Sequence, residues 1–504
     1  MRQVASITII IQVISLLVQA QLIQGWSWQC LNRKCVRSND PSGTGNNALS
    51  LSVCRLTCGQ YGAVWPQPTG FTAISDKVIS INPSLVQFDF SAVADLSRNP
   101  VRDFLHAASD LFVVNLQGLC GGNCSAFPQT SVTVHVATSS GDLTLNWLTD
   151  ESYSLEVGIL DDRVEVHIQA NTVYGARHGL ETLTQLVTYE ETDDGGNYQL
   201  VMVTTAKISD KPKYPHRGLL LDTARNYLPL KALLRTLDAM ASCKLNVLHW
   251  HATDSQSFPL VLPSVPQLAR FGAYSAAEVY TMADVRAVVD YARVRGVRVL
   301  LELDMPAHAG NGWQWGSLAV CVNQQPWRQF CLQPPCGQLN PANPNLYRVL
   351  ADVFRDLVNT LPQGETIHMG GDEVYFPCWN RSQEVTEWMM SRGLGLSQSD
   401  FMYIWGEFHK KVLEQWDLQV GNEKTPIMLW SSHLTDADVI EQHLDKDRFV
   451  IEAWTDSSDP LATQLMDKGY RLVMATKDSW YLDHGFWGRT QYHSWRRAYD
   501  NRLP

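Results

Sequence analysis

From Arg217 onward, short apolar runs recur along the chain, separated by longer stretches in which apolar residues return at helical spacing. The runs are Arg217–Leu221, Asn246–Trp250, Val297–Leu303, Thr366–Met369, Pro426–Leu429, Phe449–Ala453 and Tyr470–Ala475. A run of this length with no polar alternation is a strand buried on both faces, and strand–helix repeats build a parallel sheet. Seven such units predict an α/β fold, a (β/α)8 barrel of the TIM type. The chain stops at Pro504, where an eighth strand is due. The barrel is therefore expected to lack its last strand, either as an open barrel or because the chain is a piece of a longer one.

The pattern differs upstream. Between Ala63 and about Thr205, strand-like runs (Val132–Ala137, Leu143–Leu148, Tyr153–Ile159, Val164–Ala170) alternate with helical ones (Phe104–Leu116, Tyr174–Tyr189). This predicts a smaller α+β domain, a sheet with helices on one side, without a catalytic constellation. Lys211-Pro-Lys-Tyr-Pro215 marks the boundary. At the start, Arg2, the apolar run Ile7–Val18 and the small-residue site Val18-Gln-Ala20 read as a secretory signal peptide, too short to span a bilayer comfortably. The expected organisation is residues 1–20 signal peptide, 21–60 a Cys-rich segment, 61–210 the α+β domain and 211–504 the barrel.

Composition narrows the choice of partner. Lys+Arg 40 against Asp+Glu 51 gives a net charge of −11 with no basic run, which argues against nucleic acid or an anionic membrane surface. The 17 tryptophans suit stacking on sugars as well as core packing. Eleven cysteines in a chain with a signal peptide imply disulfides and one thiol left over. Cys243, at a core-like position of a helical stretch Leu233–Leu245, is the candidate free thiol. The rest cluster as Cys30/Cys35/Cys54/Cys58, Cys120/Cys124 and Cys321/Cys331/Cys336/Cys378, with pairing inside each four open. Asn123-Cys-Ser125 and Asn380-Arg-Ser382 have the form of glycosylation acceptors.

Chemistry in a barrel lies just past the carboxyl ends of its strands. There the sequence places Asp222 and Arg225, then His249, His251 and Asp254, then Glu302, Asp304 and His308. Next come Asp372 and Glu373, then Trp430, Trp454, and Trp480-Tyr481-Leu-Asp483. Gly370-Gly371 ends the fourth strand and turns the chain sharply into the paired acids. His249 and His251 share one side of a strand and, with Asp254, could ligate a metal. No partner stands at ligand spacing in the sequence, so none is expected.

These motifs together resemble glycoside hydrolase family 20, the β-N-acetylhexosaminidases, and among them the insect-type enzymes. The resemblance runs through His368-Met-Gly-Gly-Asp-Glu373, Arg217-Gly-Leu-Leu-Leu-Asp-Thr-Ala-Arg-Asn226, His249-Trp-His251, Glu302-Leu-Asp304 and Trp480-Tyr-Leu-Asp483. It extends to Trp26-Ser-Trp-Gln-Cys30 and to the segment Cys321–Pro344.

It implies a retaining exo-glycosidase that works by substrate assistance, in which the 2-acetamido oxygen of the sugar attacks the anomeric carbon. Glu373 would be the general acid and then base, and its pKa should be raised. Asp372 would orient the acetamide, and Tyr481 would donate to the acetamide oxygen. Arg225 and Asp483 would hold sugar hydroxyls, and Trp430 and Trp454 would wall the acetamido pocket. Trp327, and by a looser match Trp495, would meet the next sugar. Asp254, Asp304, His308 and His251 would support the acids. The resemblance calls for no metal and no organic cofactor. The expected partner is an amino-sugar oligosaccharide or glycan, with a second copy of the chain as a candidate. The expected location is outside the cytosol, secreted or lysosomal.

Two departures stand out. The eighth strand, which in the family supplies a Trp and a Glu, is absent, and Leu332-Gln333 replaces a smaller residue and an acid beside Trp327. The rival expectation is therefore an amino-sugar-binding protein with impaired catalysis.

Overall fold

The computed structural model describes residues 26–38, 49–119, 130–191, 198–421, 425–482 and 494–503. The signal peptide, the acceptor Asn123, Cys120, Cys124 and Asp483 lie outside them. The chain forms two compact units. One comprises the residues up to Pro215 with Ala241–Lys244 and Val294–Gly296; the other comprises His216–Met240, Leu245–Arg293 and Val297 onward.

The first unit opens with a small hairpin, Trp28–Leu31 with Lys34–Arg37, and a short helix, Leu51–Thr57. Disulfides Cys30–Cys58 and Cys35–Cys54 fasten the helix to the hairpin, replacing the core that so short a segment cannot build. A six-stranded sheet follows, in the order Thr72–Ile74, Ala206–Asp210, Tyr153–Leu160, Arg163–Ala170, Val132–Thr138, Val86–Val93. Val132, Val134 and Val136 point to the buried face, where the helices Asn99–Gly118 and Val173–Gln185 contribute Phe104 and Tyr174 in edge-to-face contact.

Two elements differ from expectation. Leu143–Leu148 forms no strand. Its polar residues bind their own backbone: Asp142 accepts from the N–H of Thr144 and Asn146 from that of Leu148, which holds the chain in turns. The helix expected to reach Tyr189 ends at Gln185, because Val187–Glu191 pairs as a strand with Tyr198–Val203. Cys243 is the free cysteine among the described residues, but it is half-exposed just past the helix Leu230–Ser242 and is not a core residue.

The second unit contains a seven-stranded parallel sheet ordered as in the sequence. Its strands are β1 (Gly218–Asp222), β2 (Val247–Thr253), β3 (Arg298–Leu303), β4 (Ile367–His368), β5 (Ile427–Trp430), β6 (Phe449–Ala453) and β7 (Arg471–Met474). Strands β2 to β6 are buried throughout, whereas β1 and β7 are partly exposed. Amphipathic helices such as Met282–Val294, Pro344–Val358 and Gln398–Val420 follow the strands. They bury Val288, Phe354, Phe408 and Trp416 against the sheet's apolar residues. No pairing between β1 and β7 occurs among the described residues. No described helix is long and apolar enough to cross a membrane.

Candidate active site

Past the carboxyl end of β4 the backbone is built around two glycines. The N–H of Gly370 donates to Nδ1 of His368 (3.0 Å), and the N–H of Gly371 donates to Oδ1 of Asp304 (3.3 Å). The Gly370 carbonyl accepts from the N–H of Trp430 (2.8 Å), which locks the turn to β5. Gly370 (φ 60°) and Gly371 (φ 93°) both lie in the left-handed region. A β-carbon at 370 would run into the Asp304 carboxylate, so no other residue fits there. Glu373 is itself left-handed (φ 51°), as is His308 (φ 53°).

These turns bring Asp372 and Glu373 onto His308. Its Nε2 lies 3.2 Å from Oε2 of Glu373 and 3.6 Å from Oδ2 of Asp372. Its Nδ1 meets Oδ1 of Asp254 at 3.2 Å. With carboxylates at both nitrogens, the ring is held as an imidazolium: burial pushes its pKa down, and Asp254, Asp372 and Asp304 together drive it well above the usual value. Asp254 also accepts from His251 Nε2 (3.1 Å) and pairs with Arg225 Nη2 (2.8 Å). Arg225 is set by Asp222, whose Oδ1 accepts from the backbone N–H groups of Ala224 and Arg225 and whose Oδ2 takes Nη1 at 2.9 Å. Its Nη2 reaches Oε1 of Gln333 (3.0 Å).

The two acids differ, though not as expected. Asp372 is pushed up by burial and by neighbouring carboxylates including Glu373, against the pull of His308. Asp304 is pushed well up by burial and by Asp372. Glu373 is instead held below the ordinary carboxylate range, chiefly by its hydrogen bond from His308. The raised pKa anticipated for the acid is therefore absent from the free site, because the imidazolium contacts Glu373 directly. Among the described residues, Oδ1 of Asp372 and Nε1 of Trp454 are buried without a hydrogen-bond partner, an arrangement that suits a ligand able to donate to one and accept from the other.

The aromatic residues fall into two groups. Trp454 and Tyr481 stand with ring centroids 5.6 Å apart at the ends of β6 and β7. Trp430 is buried, lies 5.6 Å from His249 and 5.0 Å from His368, and donates its indole N–H to Oε1 of Glu302 (2.7 Å). Trp327 is half-buried under the Arg328 guanidinium, 4.4 Å from its ring centroid. Its loop is joined to the acids' loop: the Tyr375 hydroxyl donates to the Arg328 carbonyl (3.1 Å), and Cys321–Cys378 bridges the two. Cys331–Cys336 closes the same loop locally. Trp495 is 72% exposed on the helix Trp495–Asp500, and no described contact links it to the carboxylate cluster. Asn380 is exposed on the helix Phe376–Arg381.

Two residues escaped the sequence reading as functional groups, Glu452 (in β6) and Gln333; with Glu302 (in β3), which the sequence places at the rim without a role, they complete the cluster. His249 Nε2 meets Glu302 at 2.7 Å and its Nδ1 meets Glu452 at 3.2 Å, so the carboxylate partner missing at ligand spacing comes from neighbouring strands. Glu302, His249 and His368 converge as a metal site would. However, Glu302 already accepts from Trp430 and the histidines, and His368 Nδ1 accepts from Gly370. A signal was available: an acid inside an otherwise apolar strand, as at Glu302 and Glu452, is not there for packing. The first unit holds an open cleft of about 540 Å³ lined by residues such as Ser154, Gln169 and Asp210, but it gathers none of this carboxylate–imidazole chemistry.

Comparison with known proteins agrees with this geometry. Residues 214–502 match the model of glycosyl hydrolase family 20, catalytic domain, and residues 122–186 match that described as beta-acetyl hexosaminidase like. The chain is 40% identical over 489 residues to a chitooligosaccharidolytic beta-N-acetylglucosaminidase of Ostrinia furnacalis, spanning 94% of this chain and 80% of that one. It is 40% identical over 466 residues to the enzyme of the same name from Bombyx mori, spanning 92% and 76%. Among solved structures, the Flavobacterium johnsoniae chitobiase superposes with a TM-score of 0.63 at 22% identity, over 83% of this chain and 59% of that one, a likeness of fold. The chain is a glycosidase and belongs to glycosyl hydrolase family 20.

Proposed function

We propose that the protein is an exo-acting, retaining β-N-acetylhexosaminidase that removes terminal N-acetylglucosamine from chitooligosaccharides by substrate-assisted catalysis. The observation that carries this reading is the buried Oδ1 of Asp372, unpartnered among the described residues, beside a Glu373 held by an imidazolium. Adjacent acids at one strand end cannot flank a sugar as the paired carboxylates of most retaining glycosidases do. They can serve a substrate that brings its own nucleophile.

In the first step Glu373 gives its proton to the glycosidic oxygen while the acetamide oxygen bonds to the anomeric carbon and the leaving alcohol departs. Asp372 accepts from the acetamide N–H and offsets the positive charge of the oxazolinium ion. In the second step Glu373, now a carboxylate, takes a proton from water as the water oxygen opens the ion, so the anomeric configuration is retained. Tyr481 donates to the acetamide oxygen, Arg225 holds ring hydroxyls, Trp430 and Trp454 wall the acetamido side, and Trp327 receives the second sugar. A sugar over Glu373 excludes water and raises its pKa, opposing His308 at the moment the acid is needed.

The named activity of the two insect relatives points to chitooligosaccharides as the substrate class. The disulfides fit an oxidising compartment, and exposed Asn380 fits N-glycosylation there. The test is turnover of an aryl N-acetylglucosaminide and of chitobiose by Glu373→Gln and Asp372→Asn. Both variants should lose roughly two or more orders of magnitude in kcat. The wild-type product should emerge as the β anomer. Near-native turnover by either variant, or an inverted product, refutes the reading.

A further inference from the structure

Resting on that reading, we propose that Glu302 is a positioning residue that ties the wall of the acetamido pocket to the acid–base pair. Its side chain is fully buried, and its two oxygens serve two directions. Oε1 accepts the indole N–H of Trp430 at 2.7 Å. Oε2 accepts from His249 Nε2 at 2.7 Å and lies 2.8 Å from Nδ1 of His251. A buried carboxylate without donors would be neutral; one facing three donors is kept ionised and fixed in orientation.

From Glu302 a line of alternating carboxylates and imidazoles runs to the chemistry. His251 Nε2 meets Asp254 Oδ2 at 3.1 Å. Asp254 Oδ1 meets His308 Nδ1 at 3.2 Å, and His308 Nε2 meets Glu373 Oε2 at 3.2 Å. Both nitrogens of each ring face a carboxylate, so neither ring can turn without breaking two bonds, and the members come from β2, β3 and the turns that follow β2, β3 and β4. The aim of the Glu373 carboxyl is thus set by a ring whose support ends at Glu302. The same residue fixes the plane of Trp430. Arg225 joins the line at Asp254, at 2.8 Å, so a sugar gripped there presses on the same support.

The competing account is that Glu302 merely satisfies buried histidines. The two separate on leaving-group dependence. A departing sugar needs the proton from Glu373, whereas a 4-nitrophenolate leaves with little help. Glu302→Gln should therefore lower kcat on chitobiose about tenfold or more beyond its effect on 4-nitrophenyl N-acetylglucosaminide. Because this is a ratio within one preparation, partial misfolding does not enter it. Trp430→Phe, which removes the indole donor, should weaken inhibition by an N-acetylglucosamine thiazoline in the wild type and have little further effect beside Glu302→Gln. Equal loss on both substrates, or additive effects of the two substitutions, overturns the proposal. Glu373→Gln run alongside isolates the underlying reading: if it kept near-native turnover, that reading would fail, and if it did not, a negative result at Glu302 would sink this inference alone.

Discussion

The α-carbon of Gly370 lies against the carboxylate of Asp304, and a β-carbon at 370 has no place to go. The same carboxylate receives the N–H of Gly371, so the turn that delivers the acids is moulded on a side chain from the neighbouring strand. Gly370→Ala must displace Asp304 as well as occupy a left-handed backbone. We expect a loss of roughly 2–4 kcal/mol in stability and of at least about a hundredfold in kcat/KM. Thermal melts and kinetics on an aryl N-acetylglucosaminide check both.

The His308–Glu373 bond predicts a split between two pH profiles. In the free site Glu373 is held low by the imidazolium, whereas a bound sugar desolvates it. The limb of kcat that reports deprotonation of the acid should therefore lie at higher pH than the matching limb of kcat/KM. His308→Gln removes the lowering influence. It should move the kcat/KM limb upward and narrow the gap, while reducing kcat.

Stability should fall on the alkaline side. A group that binds its proton more tightly when folded favours the fold below its unfolded pKa and ceases to do so above its folded one. His249, raised from 6.5 to about 9 by Glu452 and Glu302 against the cost of burial, contributes fully below about 6.5 and loses its contribution as pH rises through about 9. His251 and His308 are raised too and act with the same sign. Differential scanning calorimetry should show Tm declining between about pH 6.5 and 9, with roughly 3.5 kcal/mol as an upper bound for His249. A flat Tm over that interval contradicts the charged assignment.

The Cys321–Cys378 bridge spans 57 positions and joins the loop bearing Trp327 to the helix that follows the acids. Replacing both cysteines by alanine should cost about 2–4 kcal/mol. It should raise KM for chitotriose more than for a single-sugar aryl substrate, since Trp327 is expected to meet only the second sugar. An equal change in both KM values counts against that role.

The barrel strands were legible because parallel strands covered on both faces appear as unbroken apolar runs, and each observed strand lies within three residues of its expected end. The rim residues were legible because polar groups just past such runs have little structural reason to be there. What could not be read was who pairs with whom. Gln333 looked like a departure and proves to brace Arg225. His249 looked partnerless until β3 and β6 supplied Glu302 and Glu452. Both depend on side chains meeting between segments far apart in sequence, which local spacing does not encode. The segment Leu143–Leu148 failed for the opposite reason: its short-range turn chemistry outweighed an apolar pattern.

Glu373 and His308, which touch, both occupy backbone conformations that favour glycine. Each costs on the order of 1 kcal/mol or more that the rest of the molecule must absorb. Glycine at His308 would ease the backbone but leave the carboxylates of Asp254 and Asp372 without the cation they share, so the contorted chain and the charge cluster hold one another in place.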